Sequence, residues 1–595
     1  MMKKQYLTWL LLVIGLSLSG LSSWQMYVRS QEQALWGYWP LAFFAGLYLL
    51  AAGSVLLFGK KDQAVSTNLL AVSLSGLLLG LSFPDIFPKG YLAFLGFIPL
   101  FWLERSLRER SSVATGWKLM GYCYLAFFLW NALATYWVAN SSLLAGLFAV
   151  LINSLLMALI FLLFHRTQRS VSLLGYPAFI FYWLSFEYLH YHWELNWPWL
   201  NLGNSFADLP VLVQWYSFTG VLGGSLWILG INVLLWNCLQ KRQAASAWKP
   251  WLLRTAALLL VPIAVSLLLF FNYQSPTASL KVLVLQPNYE PHHEQSNVPE
   301  REQISRMLQL MKQEMDSTVR FVLIPETSFG FVDYDNPGIY PAVLRLRNFL
   351  QQYPKARIIA GVNAYRRLDD SRADDRFTRT QVNPQTGDTL YLEIYNAALQ
   401  IGAAADDYQW YQKSRLVPGP ELFPYPGVLS FLKPTVQRLG GTMAGVAPQE
   451  ERSLLGSADA AAGVAICYES VFGAFTGEYV RAGAEALFIL TNDGWWDQTA
   501  GHRQHLAYAR LRAIEHRRGV ARAANTGISA FIDQRGLLEQ RTAYGQTAVL
   551  SQKIALNTKR TIYTRYGDLI ARFAIFGAAI MLANTIVQGK TRKSK

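Results

Sequence analysis

AGVAICYES (Ala462 to Ser470) is a run of small and β-branched residues closed by a thiol, a phenol and a carboxylate. It reads as a strand ending in a polar loop, and it has counterparts on both sides. LKVLVLQPNY (Leu280 to Tyr289), RFVLIPETS (Arg320 to Ser328), ARIIAGVNAY (Ala356 to Tyr365), YNAALQI (Tyr395 to Ile401), EALFILTND (Glu485 to Asp493) and GVARAANTG (Gly519 to Gly527) share the pattern. Helical spacing appears between them, for example from His505 to His516. Strands whose ends carry the unusual polar residues predict a layered α/β domain with its site at the strand ends.

Outside this region the composition changes. The 595 residues are 52% apolar and only 15% charged, too hydrophobic for an ordinary soluble chain. Charges are sparse up to about Asn272, dense from about Lys281 to Asp568, and thin out again in the apolar run after Leu569. Apolar stretches near bilayer length run from Tyr6 to Trp24, Trp39 to Phe58, Asn68 to Phe83, Tyr91 to Leu103, Leu119 to Val138, Ser142 to Phe164, Val171 to His190, Val211 to Leu239, Trp251 to Phe271, and Ile570 to Val587. The third and fourth are short, and the pair around Pro84 and Pro88 also fits a re-entrant hairpin. The first lacks a small-residue cleavage site and is expected to be retained.

Basic residues in short loops mark the face that is not translocated. Lys3, Lys4, Lys60, Lys61, Arg105, Arg108, Arg110, Lys118, Arg166, Arg169, Lys241, Arg242, Lys249 and the tail from Lys590 to Lys595 fall on one side, against Arg29 and Lys89 on the other. Both termini are therefore expected in the cytoplasm and the segment from Asn272 to Asp568 outside it, in the periplasm of a two-membrane bacterium. The same placement accounts for much of the net charge of +15 and argues against a nucleic-acid partner. The expected architecture is a polytopic α-helical membrane bundle plus an α/β extracytoplasmic domain. Its parts are two N-terminal helices (1–67), the bundle (68–272), the α/β domain (273–568), and a C-terminal helix with a basic tail (569–595).

Of the three cysteines, Cys123 and Cys238 fall inside apolar helices, so Cys467 is the lone thiol of the polar domain. It stands with Glu326 in LIPETSFG and Lys413 in YQKSRLVPGPELFPYP. Singly, each has a structural explanation: a helix N-terminal acid, a solvated loop charge, a core residue. Together they make a chemical set. A thiol that attacks a carbonyl must lose its proton, a carboxylate accepts it, and an ammonium stabilises the thiolate and the oxyanion that follows. This set needs no metal and no nucleotide cofactor.

In this order the Glu, Lys and Cys motifs resemble the nitrilase superfamily. NDGWWDQTAGHRQHLAYARLRAIEHRRGVARAANTGISAFID (Asn492 to Asp533), YQKSRLVPGPE and ICYES closely resemble the apolipoprotein N-acyltransferase family of bacterial membranes. NWPWLNLGNS (Asn196 to Ser205) and RYGD (Arg565 to Asp568) fit as well. The resemblance implies an αββα sandwich on a transmembrane bundle in the inner membrane. It also implies a ping-pong reaction with catalytic residues Glu326, Lys413 and Cys467. Cys467 would take the sn-1 acyl chain of a phospholipid as a thioester and pass it to the α-amino group of a diacylglyceryl-cysteine apolipoprotein. Glu326 would be the base and Lys413 the oxyanion stabiliser, with Glu421, Tyr468 and Glu469 in support.

Pro418-Gly419-Pro420-Glu421 departs from the family's usual Pro-Phe-Gly-Glu, and the two helices before Asn68 exceed its usual number. Trp495 and Trp496 are candidates for a lipid-touching rim, while Trp193, Trp197 and Trp199 read as an interfacial belt. His502 and His505 lack partners at zinc spacing. The same three catalytic residues would also serve a membrane-tethered amidase acting on a small amide, although that needs one anchor and not ten apolar segments. A transporter or receptor would need more ionisable groups in its helices than Glu187 and Glu194 near their ends.

Overall fold

The computed structural model describes residues 2–59, 64–85, 87–109, 115–242, 247–369, 376–382, 387–432 and 445–591. Of the basic residues used for orientation, Lys60, Lys61, Arg110 and those from Arg592 onward lie outside the described residues.

The expected apolar stretches are helical. They form α1 (Met2–Gln31), α2 (Trp39–Phe58), α3 (Val65–Gly80), α4 (Ile98–Glu109), α5 (Thr115–Thr135), α6 (Leu143–Ser170), α7 (Gly175–Leu189), α8 (Val221–Lys241) and α9 (Lys249–Phe271), with a last helix at Leu569–Thr591. Among the described residues, six are long and apolar enough to cross a membrane: α1, α2, α6, α8, α9 and the last. The fourth expected span is broken. A 3-10 turn (Gly90–Leu95) precedes the 12-residue α4, and Asn232 of α8 holds the break, accepting from the Phe97 amide and donating to the Ala93 carbonyl (both 2.9 Å). The span expected from Val211 likewise starts only at Val221, after a 3-10 turn (Pro210–Leu212) and a four-residue helix (Tyr216–Thr219).

Between α9 and the last helix lie two sheets. β1 (Ser279–Gln286), β2 (Val319–Asp333) and β3 (Arg357–Leu368) are parallel; β5 (Thr389–Ile401) pairs antiparallel with β3 and with both β4 (Arg379–Val382) and β6 (Tyr408–Gln412), and β13 (Ala548–Ala555) closes the far edge. The second sheet runs β12-β11-β10-β9-β8-β7, with β8 (Ala461–Ile466), β9 (Ala486–Thr491) and β10 (Val520–Ala524) parallel, and β7 (Leu455–Gly456), β11 (Ala530–Ile532) and β12 (Leu538–Arg541) at its margins. Each parallel pair is joined by a helix, as parallel strands require. These crossovers are α10 (Glu300–Glu314), α11 (Pro341–Leu350), α12 (Gly473–Ala482) and α13 (Ala500–His516), so the last helix is α14.

Side-chain alternation explains the layering. On β1 and β2, Val282, Val284, Phe321 and Leu323 face the second sheet, where Phe321 meets Phe488 edge-on at 5.2 Å. The intervening Leu283, Leu285, Val322 and Ile324 pack with Ile304, Met307 and Met311 of α10 and Val343 and Leu346 of α11. The result is the expected αββα sandwich.

The sandwich sits on one end of the bundle. It contacts the turns after α1 (Arg503 to the Tyr38 hydroxyl, 3.1 Å), α3 (Arg503 to Asp85, 2.5 Å) and α7 (Tyr508 to the Trp199 carbonyl, 2.8 Å), and the last turn of α5 (Gln504 to the Ala134 carbonyl, 2.9 Å). One apolar cluster runs unbroken from the bundle into the second sheet. Trp199 therefore does not join an interfacial belt. It is 1% exposed and packs on Trp137, Trp496, Tyr468 and Tyr508, because the loop that carries it is roofed by the sandwich. Trp193 and Trp197 are half-buried.

Candidate active site

Cys467 follows the last residue of β8 and opens a 3-10 turn (Cys467–Val471) in the left-handed region, at φ 50°. That backbone is uncommon for a residue with a Cβ and must be held by its surroundings. The Cys467 carbonyl accepts from the Ser470 hydroxyl (2.8 Å) and lies 3.1 Å from His505 Nε2. Glu469, fully buried, accepts from the Ile466 amide (2.7 Å) with one oxygen. With the other it accepts from the Tyr411 hydroxyl and the Ser414 amide (both 2.6 Å) and the Arg415 amide (3.1 Å). Glu469 thus ties the turn of the thiol to the segment that carries Lys413. Tyr468 points the other way, its hydroxyl donating to the Asn196 carbonyl of the bundle (3.0 Å).

Glu326 lies inside β2, not at its end. The β2–β3 register breaks between Ile324 and Phe329, and Thr327 takes φ 50°, so the strand bulges where Glu326 leaves it. On β3, Gly361 leaves room for the bulge, since a Cβ there would come within 2.4 Å of the Glu326 Cα. Lys413 follows β6. Its backbone amide donates to the Asn396 carbonyl (2.8 Å), and its Nζ donates to Glu326 Oε1 (2.9 Å) and Glu421 Oε1 (2.8 Å). The Asn396 amide nitrogen reaches the same two oxygens, at 2.8 and 3.0 Å. The Glu421 carboxylate accepts from the Val417 amide (2.9 Å), and the Pro418–Glu421 segment turns at Gly419 with φ 98°.

Electrostatics fit a resting thiol beside a charged pair. Burial pushes the Cys467 thiol well above its ordinary value; the Glu326 carboxylate pushes it further and Lys413 opposes. Burial alone would depress the Lys413 ammonium, yet Glu326 and Glu421 together hold it well above its ordinary range. The arrangement brings together a buried thiol, a carboxylate able to take its proton, and a fixed cation able to hold an oxyanion.

The ammonium also bridges two carboxylates out of water, and removing it should leave them repelling. Lys413→Met is expected to cost about 3 kcal/mol, the usual scale for breaking a buried ion pair. Thermal unfolding in detergent would read this as a clear fall in Tm, and adding Glu421→Gln should restore part of it. An unchanged Tm in Lys413→Met would mean that the three groups are not coupled.

A second polar network was not legible in advance. His505 Nδ1 lies 2.9 Å from Asp493 Oδ1, and Arg522 meets the other oxygen of Asp493 at 2.5 Å. Burial would raise the Asp493 carboxyl, but Arg522 and His505 beside it hold it below the usual carboxylate range. His505 is therefore a buried partner of the Cys467 turn. Among the described residues no group of His, Cys, Asp and Glu is placed to hold a metal ion. The two candidate rim tryptophans differ. Trp496 packs on Trp137 (4.7 Å), His505 (5.5 Å) and Trp199 (5.6 Å), whereas Trp495 is 40% exposed against His292 (5.0 Å).

Residues 75–234 match the apolipoprotein N-acyltransferase N-terminal domain and residues 293–560 the carbon-nitrogen hydrolase domain. An apolipoprotein N-acyltransferase of Chlorobaculum tepidum is 29% identical over 539 residues, covering 88% of this chain and 97% of the relative. That of Geobacter metallireducens is 29% identical over 541 residues, covering 88% and 96%. One from Treponema denticola is 24% identical over 553 residues, covering 87% and 95%. With its helical bundle and its thiol-bearing sandwich matched in this order, and relatives aligned along most of its length, the chain belongs to the apolipoprotein N-acyltransferase family.

Proposed function

We propose that this chain moves an acyl chain from the sn-1 position of a phospholipid to the α-amino group of a diacylglyceryl-cysteine lipoprotein, through a thioester on Cys467. As Sγ attacks the ester carbonyl, Glu326 takes its proton and Lys413 donates to the oxyanion. The lysophospholipid then leaves as an alcohol, carrying the proton back from Glu326. In the second half the lipoprotein amine attacks the thioester carbonyl, Glu326 takes the amine's proton, and the thiol is restored. Each half uses the same oxyanion position, and the thioester supplies the activation that amide formation needs. Asn396 and Glu421 hold Lys413, while Glu469 holds the nucleophile's turn.

The observation that carries this reading is the placement of the buried thiol beside the Glu326–Lys413 pair, on a turn whose Tyr468 is bonded to the bundle loop after α7. A bilayer lipid reaches such a site sideways, whereas a small soluble amide has no use for that contact. The side of the membrane follows the same reasoning. The turns after α1, α3 and α7 and the last turn of α5 touch the sandwich, and Arg105, Arg108, Arg166, Arg169 and Lys241 lie at or near the ends of α4, α6 and α8 on the other face. This supports cytoplasmic termini, a periplasmic 273–568 domain, and the division of the remainder into 1–67, 68–272 and 569–595.

The test is a mass measurement. Purified protein in detergent with phosphatidylethanolamine should gain one acyl chain on the Cys467 peptide. A diacylglyceryl-cysteine peptide should discharge it, and the same peptide with its amino group acetylated should not. An acyl chain on another residue would overturn the mechanism; ammonia release from short amides without any acyl adduct would favour the amidase.

A further inference from the structure

The matched bundle domain begins at residue 75, so α1, α2 and the turn between them lie N-terminal to it. They are nevertheless built into the site's surroundings. α1 and α2 cross at glycines: a Cβ on Gly15 would meet the Leu50 amide at 2.8 Å, and one on Gly46 would meet Ser19 Oγ at 2.3 Å. Such close backbone approach makes the pair a stiff unit. The pair is fixed to the matched bundle by Phe44 and Tyr48 against Phe128 of α5, and to α3 by the Tyr48 hydroxyl and Ser73 Oγ (2.7 Å).

This anchoring sets the position of the turn at Gly37 and Tyr38. The Asn140 amide nitrogen, in the short helix after α5, donates both to the Gly37 carbonyl (3.1 Å) and to the Trp496 carbonyl (3.2 Å). Arg503 Nη2 donates to the Tyr38 hydroxyl (3.1 Å) while its guanidinium pairs with Asp85. The Tyr38 ring packs on Tyr136 (5.7 Å), whose own hydroxyl accepts from the Ala500 amide (3.4 Å). The turn therefore holds residue 503 directly and residue 496 through Asn140. The segment from 496 to 503 carries Trp496 and leads from Asp493 to His505, the two residues behind Cys467.

We propose that the α1–α2 hairpin is part of the active-site scaffold. Tyr38 and Asn140 act as positioning residues that hold the Trp495–Trp496 rim in its substrate-binding shape. Cys467 follows β8, Glu326 lies in β2 and Lys413 follows β6, three strands of the sandwich. Loosening the grip should therefore weaken substrate binding and leave the chemical step alone. The part concerning turnover rests on the acyltransferase reading, so the test has one arm that does not.

In the first arm, hydrogen exchange of the amides in residues 493–503 is followed in the full-length protein in detergent. Tyr38→Phe with Asn140→Ala should speed it about tenfold, the scale of one or two lost hydrogen bonds. Tyr38→Phe alone keeps the ring against Tyr136 and serves if the double variant does not fold. Leu16→Ala on the lipid-facing side of α1 should change nothing. In the second arm, acyl transfer from phosphatidylethanolamine should show KM raised about fivefold at unchanged kcat. Unchanged exchange overturns the proposal, and so does faster exchange with KM unchanged or with the loss confined to kcat. A wild type that never loads acyl overturns the proposed function instead, and the exchange arm still decides whether the hairpin holds the rim.

Discussion

Cys467→Ser is expected to abolish acyl loading, lowering the rate about 10⁴-fold or more, the scale seen when a covalent nucleophile is removed from a catalytic unit. The exchange alters one atom in a place shaped for it. The turn is held through the carbonyl of residue 467 and the carboxylate of Glu469, neither of which depends on sulfur, so the variant should keep its fold with Tm nearly unchanged. What is lost is acidity. A carboxylate can remove the proton of a thiol, even one pushed up by burial, whereas an alcohol in the same buried site holds its proton far more tightly. Intact mass after incubation with phosphatidylethanolamine, together with transfer to a diacylglyceryl-cysteine peptide, measures both halves. A serine variant that still transferred acyl chains would end the thioester mechanism.

The sequence displayed the parts of this site that carry charge next to a strand, and not the parts that orient them. AGVAICYES places the thiol correctly because β8 ends at Ile466 and the polar residues begin at once. LIPETS hides its geometry: the β-branched run continues through Glu326 into a 15-residue strand, and the bulge depends on Gly361 of a different strand. Asn396 sits in YNAALQI, an ordinary strand by composition. Its amide matters because the β3–β5 register brings it beside Glu326, 70 residues away in the chain. His505 and Asp493 were visible as residues but not as a pair, since a crossover of a dozen residues folds back to join them.

A layered α/β domain was legible through its buried parallel strands, and its arrangement as an αββα sandwich through the family resemblance. The short β4, β7, β11 and β12 were not, because strands of two to four residues carry too few side chains to show a period. Trp199 shows the opposite limit. An indole near a membrane helix end reads as interfacial until the domain above it is known to be there.

The strongest discrimination of roles comes from Glu326→Gln. Glutamine keeps an oxygen for Lys413 and Asn396 and removes the charge, so the pocket should stay folded while thioester formation falls about 10³-fold, within the range lost with a general base. The pH dependence of the residual rate should then identify the missing function. Without a base the reaction must wait for thiolate that forms by itself. Burial still keeps that thiol above its ordinary value, but the carboxylate that pushed it higher is gone. Below the thiol's own pKa, thiolate rises tenfold for each unit of pH, and the variant's loading rate should rise with it. The wild type, which passes the proton to Glu326 during attack, should show a shallower dependence over the same range. Stopped samples analysed by intact mass at several pH values give both slopes. A variant that loads acyl at the normal rate, or whose residual rate is flat with pH, would remove Glu326 from the role of base and leave Lys413 alone to activate the thiol.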